Sequence, residues 1–377
     1  MHAQLNGEAF NTKDLVTVSS AASLHAGGPF ADANIRVSAR LNVKSFSTDN
    51  PIRNGFTFGS RNETNLNHDQ ANLLDLRAEL NERVEYETQF TLPETDIYYG
   101  SLMVESAVTD DRGKFVATAV RADYAGRDRY VGLKNIRWLY KKGERAELET
   151  LVVDQAGHTV SGAKVAIAIN RREYRAARVK GPGNAYLTQN IVTWEEESSC
   201  QITSLAGIST CAFEPEQPGY YQFVATIADT RQREHKTSIQ AWVTGSGHVV
   251  WDQTNDATLQ IIAEQSDYKV GDTARYLIEN PYPGARALVT VERYGIIDSW
   301  IETLESSTPV IEFSVKPDYL PGFYVSVVAV SPRVEKPLGP GKVDLGKPGF
   351  RLGVCFGAGL GSVQKIVAGR ETRSRDI

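Results

Sequence analysis

Two of the three cysteines, Cys200 and Cys211, have a spacing that indicates a defined chemistry. If the segments that carry them are neighbouring strands of a hairpin, their Cα atoms can come within the roughly 4.4–6.8 Å that a disulfide requires. We therefore expect a structural disulfide, which implies that the parent molecule resides in an oxidising compartment. The alternative is a pair of free, buried thiols. Cys355 has no partner in this scheme.

The other reactive side chains do not form a recognisable catalytic or metal-binding pattern. The six histidines are scattered, and no two have the spacing of metal ligands on one element. Asp110 and Asp111 precede Gly113 in a turn sequence, where acidic residues have a conformational role, so a general acid/base pair is the less favoured interpretation. The sequence GAGLG at 357–361 resembles a dinucleotide-binding loop but lacks the strand–turn–helix setting. We predict no catalytic residue, no metal, no cofactor and no enzymatic activity.

The elements that carry the cysteines belong to a repeat, which is clearest between Tyr268 and Tyr294. There a Val-Gly-Asp turn, a strand, a Pro-Tyr-Pro-Gly turn and an alternating strand follow one another. Tyr140 opens YKKGERA, which matches YKVGDTA at Tyr268, and residues 161–169 match residues 283–291. Residues 29–37 are a fainter copy without a recognisable opening motif.

Each copy has a second half, in which Pro-Gly precedes an aromatic strand at Gly219 and Gly322, and the segment at Gly100 is a weaker version. Units of about a hundred residues are longer than the roughly 20–50 residues of solenoid repeats, so the chain is a row of similar domains. Short strands separated by regular turns predict an all-β fold of tandem antiparallel β-sandwiches. The predicted domains are sandwiches at 1–133, 134–249 (with the disulfide) and 250–332, followed by a linker and aberrant, truncated tail at 333–377.

One helix is predicted within the first domain. Leu73, Leu76, Leu80 and Val84 recur at intervals of three and four residues, which is helical spacing and favours a helix between residues 68 and 83.

Composition limits the possible partners. The chain has 377 residues, a net charge of -5 and a pI near 5.8, which argues against a nucleic-acid partner. No run approaches the roughly 18 apolar residues of a membrane span, and the N-terminus lacks the charged leader and apolar core of a secretory signal. The basic cluster RREYRAAR at 171–178 is interpreted as a solvated strand end, with an anionic contact site as the alternative.

Several long motifs resemble those of bacterial alpha-2-macroglobulins, in the order of that family. They are YKVGDTARYLIENPYPGARALVTVERYGIIDSW (268–300), the block around Cys200 and Cys211 with CAFEPEQPGYY, VTDDRGKFVATAVRADYAGRDRYVGL (108–133) and VDLGKPGFRLG (343–353). The resemblance covers roughly residues 15–353. It implies a large, secreted or periplasmic protease trap whose front half is a string of macroglobulin-like β-sandwiches. The three copies would be the third, fourth and fifth of these, just before the domain that carries the protease-cleavable bait.

The sequence also departs from the family. The family's thioester motif is of the Cys-x-Glu-Gln type, and none of Cys200, Cys211 and Cys355 lies in such a motif. No bait-like stretch is present, and the sequence after Gly353 is rich in glycine. We interpret the chain as an internal fragment: a scaffold portion of a broad-spectrum endopeptidase inhibitor that lacks bait and thioester. The implied partners are proteases, through the full-length parent, and other macroglobulin-like domains, in the periplasm or outside the cell.

The alternative function is a cell-surface binding or adhesion module, since stacked β-sandwiches serve many functions. Five tryptophans could form its ligand platform, although core or interdomain packing is the favoured interpretation. These are Trp138, Trp194, Trp242, Trp251 and Trp300.

Overall fold

In its described part, the computed structural model consists of β-strands, short turns and two single-turn 3-10 helices, without an α-helix. It describes the chain except for residues 24–32, 47, 49, 60–69, 110–112, 136, 181–185, 252–256, 334–335, 337–347 and 361–377. The strands form six sheets, which face each other in pairs around three main hydrophobic cores. The predicted all-β sandwich fold is therefore confirmed.

The first sandwich packs a three-stranded sheet, in the order β1-β3-β7, against a five-stranded sheet, in the order β2-β9-β8-β4-β6. Alternate residues of the long strands, such as Ile35, Val37 and Leu41, point into the core between the sheets. The strands are β1 (His2–Leu5), β2 (Ala9–Asn11), β3 (Leu15–Ala21), β4 (Asn34–Val43), β5 (Thr57–Phe58), β6 (Gln70–Glu79), β7 (Glu85–Thr91), β8 (Tyr99–Thr109) and β9 (Phe115–Ala125), of which β5 belongs to the next sandwich.

The second sandwich pairs the sheet β15-β12-β10-β5 with the sheet β11-β17-β16-β13-β14. Val165, Ile167 and Ile169 alternate along one strand of its core. Its strands are β10 (Arg129–Asn135), β11 (Leu139–Lys141), β12 (Ala146–Asp154), β13 (Lys164–Lys180), β14 (Tyr186–Thr203), β15 (Ser209–Phe213), β16 (Gly219–Ala228) and β17 (Glu234–Thr244).

The third sandwich pairs the sheet β18-β20-β23 with the sheet β19-β25-β24-β21-β22. Val289 and Val291 meet Tyr276 and Phe323 in its core. Its strands are β18 (Ile261–Ala263), β19 (Asp267–Lys269), β20 (Thr273–Ile278), β21 (Ala285–Glu292), β22 (Ile296–Leu304), β23 (Val310–Ser314), β24 (Gly322–Ser331) and β25 (Gly349–Leu360).

The three five-stranded sheets have one topology, which confirms the repeat read from the sequence. Gly219 and Gly322 open β16 and β24, and Gly100 is the second residue of β8; these three strands occupy the same central position in their sheets. In each sheet a three-residue strand (β2, β11 or β19) lies parallel to the last strand (β9, β17 or β25).

The opening motif is also present in the first sandwich, where the sequence did not show it. Phe10 is buried like Tyr140 and Tyr268, and each is the middle residue of the corresponding three-residue strand. Three residues further on, the left-handed turn position is glycine in the later copies, with φ of +93° at Gly271, but it is Lys13 in the first, with φ of +75°. Because lysine rarely adopts a left-handed conformation, its presence at this position does not indicate a turn, and the motif could not be recognised in this copy.

The predicted helix at 68–83 is wrong over its described part, because β6 is an edge strand of the first sandwich. A register shift opposite Ala39 and Arg40 places Leu73 and Leu74 at a bulge, so the half-buried positions change phase there. Two period-two segments joined by a bulge produce intervals of three residues, which imitate helical spacing.

The predicted linker and aberrant tail at 333–377 is wrong for residues 349–360. They form β25, which pairs with β24 along its length and completes the third sandwich as β9 and β17 complete the others. Similarly, Val131 and Leu133 of β10 lie in the second core, although the expected border placed them in the first domain.

Candidate functional site: the disulfide and the interdomain junctions

The structure joins Cys200 and Cys211 by a disulfide, with their Cα atoms 6.4 Å apart. The two strands are not a hairpin, however. Cys200 lies on β14, which pairs with β13, whereas Cys211 lies on β15 at the edge of the facing sheet and pairs opposite Leu148. The disulfide thus ties the two sheets of the second sandwich together across its open edge. Cys355, on β25, is a free and half-buried thiol whose pKa is raised by burial.

The structure brings together no catalytic constellation in its described part. Among the described residues, no three histidine, cysteine or acidic side chains are placed to hold a metal ion. Gly357–Leu360, from the glycine-rich motif, is part of strand β25 and forms no loop. Asp110 and Asp111 lie outside the described residues.

The basic cluster at 171–178 is compensated by acidic neighbours where its side chains are described. Arg171 contacts Glu173 and Glu197 at 2.6 and 3.2 Å. Arg175 contacts Glu195 at 3.0 Å. These ion pairs favour the solvated strand end over an anionic contact site.

The first junction, between the first and second sandwiches, is built on aromatic rings. Phe46 stacks on Tyr130 with ring centroids 4.2 Å apart, and Phe58 lies 5.3 Å from Phe46. Phe58 belongs to β5, which follows the first sandwich's β4 in the chain but adds an edge strand to β10 of the second sandwich. The added strand β5 and the shared apolar cluster together attach these two sandwiches to each other.

A buried histidine and a buried arginine lie at the centre of the first junction. Nδ1 of His235 accepts a hydrogen bond from the Val131 amide at 3.1 Å, which assigns the imidazole proton to Nε2. The Arg127 guanidinium donates to the carbonyl oxygens of Glu234 and Gly126 and lies over the Tyr98 ring. Burial and the neighbouring positive charge of Arg127 lower the pKa of His235 to about 3. His235 is therefore a neutral structural acceptor at physiological pH and supplies no proton for chemistry.

The second junction, between the second and third sandwiches, is built around Arg172 on β13. Its guanidinium lies 4.4 Å from the Tyr220 ring centroid and 6.0 Å from that of Trp242, within the range of cation–π attraction. It also reaches Glu279 of the third sandwich at 3.9 Å. Both charged side chains are mostly buried, with 18% and 14% of their surface exposed. Salt screens such a pair less than it screens a pair on the open surface.

Polar contacts continue the second junction beside this pair. Trp251 lies 5.8 Å from Trp242 and donates its indole N–H to the Ser307 carbonyl oxygen at 2.9 Å. The Thr244 hydroxyl donates to the Thr308 carbonyl oxygen at 2.6 Å. The end of β17 and the segment that follows it are thereby attached to the loop between β22 and β23.

A cleft of about 280 Å³ opens beside the second junction. It is lined by apolar and charged groups, among them His248, Trp251, Gln260, Glu279, Tyr282 and Arg351. Glu279 takes part in the ion pair with Arg172, so the cleft and the junction share a wall. Its lining contains no arrangement of nucleophile, acid and base.

The five tryptophans do not form a common platform. Trp251 is buried, Trp242 lies in the second junction, Trp300 packs on the third core, and Trp194 is 38% exposed beside Tyr220. Trp138 is half-buried next to β11. The arrangement favours packing over a ligand platform. The sequence marked these aromatic residues, but nothing in it singled out Arg127, Arg172 or His235.

Three sandwiches of one topology, attached through two packed junctions, define a tandem β-sandwich protein. Residues 259–357, the third sandwich, match the family model of the alpha-2-macroglobulin bait region domain. Over 235 residues the chain is 27% identical to an alpha-2-macroglobulin homolog of Nostoc sp. (strain PCC 7120), a match that spans 62% of this chain and 12% of that relative. The chain is thus similar to alpha-2-macroglobulins, and the resemblance seen in its motifs is confirmed.

Similar solved structures include alpha-2-macroglobulins of two enterobacteria. The native form of the Escherichia coli protein is 15% identical with a TM-score of 0.47, over 95% of this chain and 23% of that one. A mutant of the Salmonella protein is 14% identical with a TM-score of 0.47, over 96% and 23% of the two chains. Within the described residues, no helix has the length and apolar character needed to cross a membrane.

Proposed function

We propose that the chain forms part of the structural wall of a broad-spectrum endopeptidase inhibitor and contributes neither bait nor thioester. Its three cores would mark three consecutive macroglobulin-like domains, the third at the position where the bait region domain of the family begins. None of the cysteines lies in a Cys-x-Glu-Gln motif, which supports a role without covalent chemistry.

The second junction is the observation that carries this proposal. The sandwich that matches the bait region domain is attached to its neighbour by a mostly buried ion pair, an aromatic contact and hydrogen bonds. A displacement of the third sandwich, such as bait cleavage would cause in a protease trap, would act on the second sandwich through the contact between Glu279 and Arg172. The junction would pass that displacement to the second sandwich. Strand β5, which belongs to the sheet of the second sandwich, would pass it on to the first.

The parent molecule would act in the periplasm or outside the cell, where its partners are proteases and further macroglobulin-like domains. The Cys200–Cys211 disulfide supports this location, because disulfides persist in oxidising compartments.

The proposal is tested with trypsin and porcine elastase, since the solved E. coli structures include forms activated by each of them. The purified chain, in molar excess, should leave hydrolysis of both a protein substrate and a small peptide substrate unchanged. In a second arm, this chain's three sandwiches replace the matching region of the E. coli protein. The hybrid should still protect protein substrates while small substrates are hydrolysed. Inhibition by the isolated chain, or a folded hybrid without trapping, would overturn the proposal.

A further inference from the structure

Strand β25 has an inverted pattern of side chains. From Gly353 to Gly359 its inward positions carry only glycine and Cys355, because the core side chains and the neighbouring backbone leave little room. A Cβ atom at Gly353 would lie 2.2 Å from the Leu259 carbonyl oxygen, and one at Gly359 would lie 2.5 Å from a Leu320 methyl group. Its outward positions carry large apolar residues that are 44–60% exposed: Phe350, Leu352, Val354 and Phe356.

The neighbouring strands extend this apolar surface, which we call the outer face. The register aligns Leu352 with Val328, Leu288 and Ile301 in one row across the four strands. Leu288 and Ile301 are 44% and 61% exposed. A contiguous exposed apolar surface of this kind is typical of an interaction site.

The outer face alternates between a ridge and a groove. The ridge is the row Leu352, Val328, Leu288 and Ile301. The adjacent row, two residues along each strand, has smaller side chains, namely Val354, Ser326, Thr290 and Ser299. Two such faces that meet with their strands antiparallel, about a two-fold axis between these rows, place the ridge of each over the groove of the other. Facing sheets in proteins align within about 30°, which such a meeting allows.

The charges at the ends of the face are complementary under the same operation. Arg286 is exposed at one end of β21, and the half-buried Glu292 lies at the other end on the same side. An antiparallel meeting about the two-fold axis brings Arg286 of one copy to Glu292 of the other, twice. Isologous contacts of this kind require a self-complementary patch.

We propose that the outer face of the third sandwich binds the same face of a second copy of this chain. Four strands about 4.8 Å apart and seven residues of about 3.3 Å give a footprint of roughly 400 Å². This is small beside the roughly 800 Å² per partner of a standard stable interface. The dimer is therefore expected to be weak.

Sedimentation velocity of the full chain between about 1 and 300 μM tests the proposal. A monomer–dimer equilibrium is expected. Ile301→Lys should weaken the dimer at least tenfold, because Ile301 is 61% exposed on the ridge. Phe115→Lys is the matched control, since Phe115 is 66% exposed on β9, outside this face, and should leave the dimer unchanged. Circular dichroism verifies that each variant is folded.

A charge exchange distinguishes the two-fold pairing from general stickiness. Arg286→Glu and Glu292→Arg should each weaken the dimer, and the double variant should restore it. A chain that stays monomeric throughout the range would show that something other than a second copy covers the face, and would overturn the proposal. A dimer indifferent to Ile301→Lys, or single charge variants not rescued by the double, would overturn it as well.

Discussion

Cys200 and Cys211 lie on strands that follow each other in the chain but belong to opposite sheets of the second sandwich. Their disulfide closes the edge where the chain crosses from one sheet to the other. The corresponding crossings, from β6 to β7 and from β22 to β23, have no cysteine. In the second sandwich the strand before the crossing is also half of a long ribbon, in which Arg172–Lys180 pair with Tyr186–Trp194 beyond the reach of β16. The disulfide secures the base of this ribbon.

Removal of the disulfide should destabilise the second sandwich. The loop it closes is short, with a sequence separation of 11, and the chain-entropy relation gives a loss of about 2–3 kcal/mol. Denaturant unfolding of the Cys200→Ala/Cys211→Ala variant, and of the wild type with reductant, measures the loss. Cys355→Ala is the control, because Cys355 is free. Equal stability of reduced and oxidised protein would show that the bond does not stabilise the fold.

Acid should loosen the first junction through His235. The pKa of His235 is about 3 in the folded chain and about 6.5 as an unperturbed side chain, because burial and Arg127 disfavour the imidazolium. A lowered pKa means that the unfolded state binds the proton first. The stability due to the neutral imidazole is thus complete above pH 6.5 and is lost as the pH falls towards 3, by at most about 1.4 kcal/mol per pH unit.

His235→Gln cannot be protonated and should remove this component of the pH dependence. Unfolding free energies at pH 7.5 and 5.0 provide the measurement. His2→Gln, at an exposed strand position, is the control and should retain the wild-type dependence. If His235→Gln and the wild type lost equal stability between the two pH values, the histidine would not be the cause.

The Arg172–Glu279 pair should couple the second and third sandwiches. In a double-mutant cycle of Arg172→Gln and Glu279→Gln, we expect a coupling energy of about 1 kcal/mol, because the pair is mostly buried. Hydrogen exchange of the Ile278 and Asn280 amides, which bond to the loop after β22, reports the local opening free energy. The pair Arg175–Glu195, with side chains 64% and 49% exposed, is the matched control and should show at most about 0.5 kcal/mol. Equal coupling in both pairs would contradict a special role for Arg172.

A side chain on the inner side of β25 should destabilise the third sandwich. Gly353→Ala brings its Cβ atom to 2.2 Å from the Leu259 carbonyl oxygen, so the backbone must move, at a cost of roughly 1–3 kcal/mol. Gly295→Ala, in the same sandwich with open space around it, should change stability by less than about 0.5 kcal/mol. Calorimetric unfolding of both variants compares them. A neutral Gly353→Ala would show that β25 does not pack in this way.

The sequence predicted the fold class, the repeat and the cysteine pair, because these depend on local signals that recur along the chain. Alternation marks strands wherever the large apolar residues face the core, as in β21. Alternation failed to reveal β25, because most of its inward residues are small. Its sequence is therefore rich in glycine and resembles a loop. Alternation also failed at β6, where a bulge at Leu73 and Leu74 changes the phase.

The junction residues could not be predicted for a different reason. Arg127 and His235 are about a hundred residues apart, and nothing local marks either of them as buried. Their roles depend on how β10 and β17 meet β5 and the Tyr98 ring, which is a long-range property of the fold. Arg172 was placed in a basic cluster, although it contacts aromatic rings and an acidic residue of another sandwich.

We infer that the second junction holds the third sandwich in a fixed position relative to the second. Pulsed electron–electron double resonance tests this rigidity directly, with spin labels at Arg145→Cys and Thr303→Cys in a Cys355→Ala background. Both label sites are exposed and lie on different sandwiches. We expect one narrow distance distribution, which broadens when Arg172→Gln and Glu279→Gln are introduced together. A distribution that is already broad in the labelled parent, and that the two substitutions leave unchanged, would contradict it.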